Sequence, residues 1–372
     1  MDPRTEALAD RHLLTFSRQA AFKACRRRHW YAYEIALRPL VDAKALRMGS
    51  AYHCGLDVLK SGSDLEKAIE HVEWYYSQVM LADADTDSIA VEMATVKALL
   101  SGYAWRWQSS PLHVLASEKA FRLPLLNPRT GHPSTVFELA GKIDGIVCLE
   151  DGRGAVLEHK LVSDDIGVGS DFWQRLQIDH QISLYVYAGR KLGHVVDTVL
   201  YDVTRKPTIK PTPVAVVDDL GAKIVLDRNG NRVKTAKGLW RQTGSTEEGF
   251  TLQTRPMTAD EWAAKIVADI GERPDFYFSR VEIPRLDSEI EECLQELWDI
   301  QKTIREAQRS GRHYRTVGKD TCPWCPYWGL CASKWTRDSA LPEGFAFVEN
   351  VHPELGIIHG VTSDQTDAAA PF

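Results

Sequence analysis

The stretch Gly141–Lys160, GKIDGIVCLEDGRGAVLEHK, holds two apolar runs separated by Asp-Gly-Arg-Gly. Glycine and aspartate at that point mark a tight turn, so the runs read as the two strands of a hairpin. Side chains of a strand alternate between faces, which makes Glu158 and Lys160 project together and His159 to the opposite side. Asp144 on the preceding strand can then approach the Glu158 carboxylate. GAVLEHKLV resembles a buried strand into which two charges have been inserted, and buried charges are costly unless paired or bound to a metal. Hard ions such as Mg²⁺ take oxygen ligands, commonly one or two carboxylates completed by water and a substrate phosphate. A lysine two positions from such a ligand can orient a water or stabilise charge building on the phosphate. The plainer alternative is an exposed sheet rim on which Glu158 and Lys160 only pair with each other.

Working outward, a helix is predicted from about Asp171 to Leu192. Gln177, Gln181 and Tyr185 recur every four residues along it and form a polar stripe suited to holding a lysine, a water or a phosphate. Upstream, MGSAYHCGLD places Gly49, His53 and Asp57 four apart on another helix. The first hundred residues show helical spacing throughout, and from about His113 the period changes to two. Further strands are expected at 194–205 and around DFYFSRVEIPR, and helices near 258–272 and 286–311. Residues 206–257 give no clean period and read as an irregular excursion. No internal repeat is evident. The order specifies an α/β fold with a mixed sheet flanked by helices.

The 372 residues suffice for a large core. The net charge is −6, but Asp338, Glu343, Glu349, Glu354, Asp364 and Asp367 follow Arg337 with no Lys or Arg, so residues 1–337 are neutral. Within that body CRRRHW, TRKPTIKP and RNGNRVKTAKGLWRQ are local basic patches. Seven cysteines and no apolar signal core argue against an oxidised secreted framework, and no apolar run is long enough for a membrane span. The expectation is a soluble, cytoplasmic protein without a membrane partner. No G-x-x-x-x-G-K-[ST] loop is present, so strand separation would need a helicase or recombination partner or a single-stranded substrate.

Taken in order, Gly49 with His53, Asp144, Glu158 with Lys160, and Gln181 with Tyr185 resemble the motif series of the RecB-like branch of the PD-(D/E)XK nuclease superfamily. The resemblance implies a restriction-endonuclease-like central sheet. It also implies a DNA nuclease, most simply an exonuclease on single strands or ends, with a role in repair or recombination. Asp144 and Glu158 would bind Mg²⁺ or Mn²⁺, with His53 and the His159 carbonyl as further ligands. Lys160 would serve the attacking water, and Gln181 and Tyr185 would support Lys160 and the substrate. Trp105, Trp107 and Trp173 are aromatic candidates for base stacking. The implied organisation is a helical region over 1–112, a nuclease core over 113–205, the excursion at 206–257, C-terminal helices with a cysteine motif over 258–337, and an acidic tail over 338–372. A non-catalytic DNA-binding or assembly subunit with this fold is the alternative. The oligomeric state is left open.

The cysteine motif CPWCPYWGLC supplies Cys322, Cys325 and Cys331, one ligand short of a four-coordinate site. A subset of RecB-like nucleases, AddB among them, carries a [4Fe-4S] cluster on one upstream cysteine and a C-x₂-C-x₅-C group. The resemblance makes Cys25 the fourth ligand and the cluster a C-terminal clasp. A zinc-stabilised structural protein is the competing reading, since thiolate spacing alone does not separate the two metals.

Overall fold

The computed structural model describes residues 10–79, 86–319 and 321–355. The end of the expected acidic tail, 356–372, lies outside them. From the N-terminus run β1 (Leu13–Leu14), α1 (Phe16–Ala24), α2 (Arg26–His29), β2 (Leu37–Pro39), α3 (Lys44–Lys60), α4 (Leu65–Gln78) and α5 (Thr86–Trp107). The core strands and helices follow as β3 (His113–Leu126), β4 (Pro133–Cys148), β5 (Gly154–Val162), α6 (Asp171–Leu176), α7 (His180–Lys191) and β6 (Val196–Arg205). The short strands β7 (Val214–Ala215), β8 (Val225–Leu226), β9 (Thr251–Leu252) and β10 (Thr254–Arg255) precede α8 (Ala259–Glu272), α9 (Pro274–Tyr277), β11 (Phe278–Pro284) and α10 (Asp287–Ser310). The chain continues through α11 (Trp328–Ala332) and β12 (Phe345–Phe347).

Six strands form one mixed sheet in the order β1-β4-β5-β6-β11, with β3 on the free edge of β4. The β4–β5 hairpin is antiparallel, as its turn chemistry requires, whereas β5 and β6 are parallel and joined by a helical crossover. One face packs on α7 and α10 through Ile143, Ile146, Val156, Val199 and Leu297. The other is reached by the α3, α4, α5 and α8 bundle, with Tyr52, Leu99, Ile266 and Phe278 in its core. Each such buried side chain is worth roughly 1.5–3 kcal/mol relative to exposure. Among the described residues no helix is long and apolar enough to cross a membrane.

Three expectations change in detail. The predicted 171–192 helix is broken between α6 and α7, because the Asp179 carboxylate accepts the Gln181 N–H at 2.7 Å and starts a new helix. Gln177 lies outside α7 and drops out of the stripe. The helical spacing of the first hundred residues is also interrupted, at Cys25, whose backbone is extended (φ −164°, ψ 119°) between α1 and α2.

The excursion, thirdly, has regular local order. Asp218–Gly221, Asp227–Gly230, Thr235–Gly238 and Thr246–Gly249 each close a turn with a main-chain bond of 2.8–3.2 Å. Each ends on a glycine at φ near +80°, the conformation that follows a type I turn in three-residue hairpin loops. Residues 214–255 are thus a meander of short hairpins.

Candidate active site

β4 and β5 pair from Cys148↔Gly154 as far as Gly145↔Leu157 and then part. The His159 amide, which has no ladder partner on β4, donates to Asp144 Oδ2 at 2.8 Å. Glu158 is buried on the α7 side of the sheet, only 4% exposed. Its Oε1 pairs with Lys160 Nζ and accepts the Gln181 Nε2 hydrogen at 2.8 Å. Tyr185, one turn further along α7, is buried and hydrogen-bonds Gln181. Asp144, Glu158, Lys160, Gln181 and Tyr185 therefore meet around the point where the hairpin opens.

His53 comes from α3, with Nδ1 3.8 Å from Asp144 Oδ2. A Cβ at Gly49, one turn earlier, would meet nothing within 4 Å, so packing within the chain does not demand glycine there. The His159 imidazole turns to the α5 side, as strand alternation requires, and its Nδ1 lies 3.5 Å from Asp202 Oδ2. Trp173 is core, its indole N–H donating to Ile166 O at 2.9 Å. Trp107 lies under the Arg280 guanidinium, and Trp105 is exposed.

Two groups escaped sequence reasoning. Lys60 donates to the Asp144 carbonyl at 3.0 Å and pairs with Asp57 at 2.6 Å, tying α3 to β4 beside the carboxylates. Behind β5, Asp202 accepts from the Tyr103 hydroxyl and from Arg280 Nε at 3.0 Å, and Arg280 reaches the Tyr103 oxygen at 3.0 Å. That buried network backs His159 and the strand carrying Glu158 and Lys160.

Burial, reinforced by Asp144 and only partly relieved by Lys160, pushes the Glu158 carboxyl up to about 7. Asp144 moves the other way: burial opposes ionisation, but His53, Lys60 and the His159 amide hold it below the usual carboxylate range. Burial works to lower Lys160, yet Glu158 and Asp144 keep it above the ordinary lysine value. The two carboxyls are driven apart, a common arrangement in catalytic sites. Asp57, desolvated and bonded to Glu118, is also raised to about 7.

The pH dependence follows from these directions. Between 4.5, the ordinary glutamate value, and about 7 the folded chain retains a proton at Glu158 that the unfolded chain has released. Stability supplied by that proton is present at low pH and is lost as pH rises through this window. Burial holds the His29, His53, His159 and His313 imidazoles below their ordinary value, which gives the opposite sign over the same window. The Glu158 part is therefore read as a difference: in thermal melts in chelator, the midpoint of the parent relative to that of Glu158→Gln should fall by a few degrees across the window, and a constant difference would remove Glu158 as a source.

Cys25, between α1 and α2, meets the segment that leads into the C-terminal cysteines. Cys25 Sγ accepts the Thr316 N–H at 3.4 Å, and the Cys322 thiol lies 3.9 Å from Thr316 O. Burial pushes the Cys325 thiol up, with Cys331 and Cys25 adding to the shift. Cys325 and Cys331 pack against a small core of Tyr31, Leu37, Tyr327 and Trp335. The donor chemistry, four thiols without a carboxylate, suits a soft metal. Among the described residues, however, no group of three or more His, Cys, Asp or Glu side chains is closed enough to hold a metal ion, here or at Asp144 and Glu158.

Among solved structures the chain is similar to a protein from Eubacterium rectale provisionally named an exonuclease, at 10% identity and a TM-score of 0.42, covering 90% of this chain and 92% of that one. It is also similar to the protein SSO0001, at 10% identity and a TM-score of 0.31, covering 88% and 90%. Both likenesses are too distant to bear on activity. No curated protein matches. The family model of the PD-(D/E)XK nuclease superfamily matches residues 13–332, a span that contains the opened hairpin, the α7 pair, His53, Cys25 and the three cysteines of the C-terminal motif. The chain belongs to the PD-(D/E)XK nuclease superfamily.

Proposed function

We propose that the protein is a metal-dependent deoxyribonuclease of the RecB-like kind that degrades DNA from single-stranded ends. The observation that carries this reading is the meeting of Asp144, Glu158 and Lys160 where β4 and β5 part, with Gln181 fixing Glu158 from α7. Two carboxylates of opposed pKa direction and a nearby imidazole are a donor set suited to Mg²⁺ or Mn²⁺. Asp144, Glu158, His53 and the His159 carbonyl would hold the ion. A divalent ion held there supplies Lewis-acid polarisation of the scissile phosphate and a more acidic water.

The chain's own groups do the rest. Lys160, charged and anchored on Glu158, offers its ammonium to the oxyanion that grows on the phosphate. Gln181 keeps Glu158 in one orientation, and Tyr185 holds Gln181. Lys60 holds the Asp144 main-chain carbonyl and the His159 amide holds its carboxylate. We assign Cys25, Cys322, Cys325 and Cys331 to a [4Fe-4S] cluster that clasps α1 and α2 to the C-terminal segment, away from the chemistry.

The test is product analysis on linear and covalently closed DNA of both strandednesses, with Mn²⁺ or Mg²⁺ and with chelator. Linear single strands should be consumed with metal and spared with chelator, and closed circles should survive. Cleavage of closed circles would make the enzyme an endonuclease, and inert linear DNA would reject the nuclease reading.

A further inference from the structure

Residues 214–255 carry seven Lys and Arg against five Asp and Glu, a balance of +2 in a chain whose total is −6. The remainder of the molecule is therefore at −8, six of those charges after Arg337, and the meander is a cationic appendage. Its point of departure is fixed by strand register. β5 and β6 run parallel, Lys160 lies beside Val203 and Val162 beside Arg205, and the Lys206 N–H donates to Val162 O at 2.7 Å. The appendage thus leaves the sheet three residues beyond the level of Lys160, roughly 10 Å at strand rise. The candidate active site and the stem of the appendage share one end of the sheet.

The hairpins are built to present charge. Lys234 and Trp240 are directly opposite each other on neighbouring strands, and Arg232 is two residues from Lys234, so all three lie on one face. Arg232 stands 4.2 Å and Lys234 4.7 Å from the centre of the Trp240 ring. Arg232 is further held by Asp218 at 2.8 Å. Lys223, Arg228, Lys234 and Lys237 are exposed, and among the described residues none of them takes a carboxylate partner. A cation platform rigidified by an indole, with Lys237 exposed on the adjoining Thr235–Gly238 turn and Lys223 exposed opposite Val217, matches a polymer of regularly spaced phosphates.

From this placement we infer that the 214–255 meander is a nucleic-acid-binding arm, gripping the sugar-phosphate backbone of the strand that enters the active site. The inference rests on the nuclease reading and deepens it. Substrate affinity would then reside largely in the arm and the chemistry in the sheet, so binding and cleavage can be separated experimentally.

The experiment measures binding of a fluorescent oligothymidine to the full chain in chelator, where no cleavage occurs, over a series of salt concentrations. The triple variant Lys223→Gln, Lys234→Gln, Lys237→Gln should bind at least about tenfold more weakly, and the slope of log Kd against log salt should fall by about 2, near 0.7 per lost phosphate contact. The three lysines are exposed, so far-ultraviolet circular dichroism should be unchanged. Because every binding measurement is made without metal, inert DNA in the cleavage assay would strike the nuclease reading alone. Unchanged affinity and salt slope would overturn the arm alone. Binding of polyglutamate as tight as that of the oligonucleotide would also overturn it, by making the surface a site for acidic polypeptide.

Discussion

Glu158→Ala and Lys160→Met should each degrade end-labelled single-stranded DNA roughly a thousandfold more slowly than the parent in Mn²⁺, the usual cost of removing one preorganised electrostatic element. The two losses should not add, because the side chains form one contact pair and each sets the other's charge. Stability separates this outcome from misfolding. Glu158 is desolvated, faces Asp144 and is held near 7, so the alanine variant relieves an unfavourable charge above neutrality while giving up the Gln181 hydrogen bond. Glu158→Ala should therefore lose activity while keeping a cooperative melt at alkaline pH. Undiminished degradation by either variant would exclude this site.

Cys25→Ser and Cys322→Ser should each cost iron, visible absorbance and several kcal/mol of stability. A cross-link between the start of the chain and the C-terminal motif removes loop-closure entropy on the order of 5 kcal/mol. Strain and structure left in the unfolded state reduce that figure. The break in the helix at Cys25 gives the effect a local origin, since the extended residue between α1 and α2 places its sulfur against Thr316, on the segment leading to Cys322. Freshly purified parent should be brown with a broad visible band. Colourless parent containing zinc would replace the cluster with a structural zinc site, and full iron content in either variant would remove that ligand from the set.

The hairpin of residues 141–160 was legible because two independent signals agree there: a Gly and Asp turn, and a strand alternation that fixes which side chains share a face. Asp144, Glu158 and Lys160 could be assembled from those alone. His53, Gln181 and Tyr185 were placed by the order of the motifs, and the structure brings them to the same region. Lys60 was not legible, because a lysine at the end of a helix has the sequence appearance of a solvated residue. Its burial arises only when β4 is laid across α3. Tyr103, Asp202 and Arg280 were hidden for the same reason: three polar residues on α5, β6 and β11 have no local signature, and only the sheet joins them. The α6–α7 break was missed because helical periodicity outweighed Asp179, an ordinary helix-starting residue. The hairpin series did carry a signal, an Asp or Thr three residues before each of four glycines, at a spacing too uneven to stand out as a repeat.

The single hydrogen bond between Asp144 and the His159 amide limits how the carboxylate can behave. Oδ2 is committed to the main chain of the neighbouring strand and also faces His53. The orientation of the carboxylate is therefore not left to side-chain rotation alone. It is set by the place where two strands stop pairing, and a slip of that register would turn the Asp144 oxygens with it.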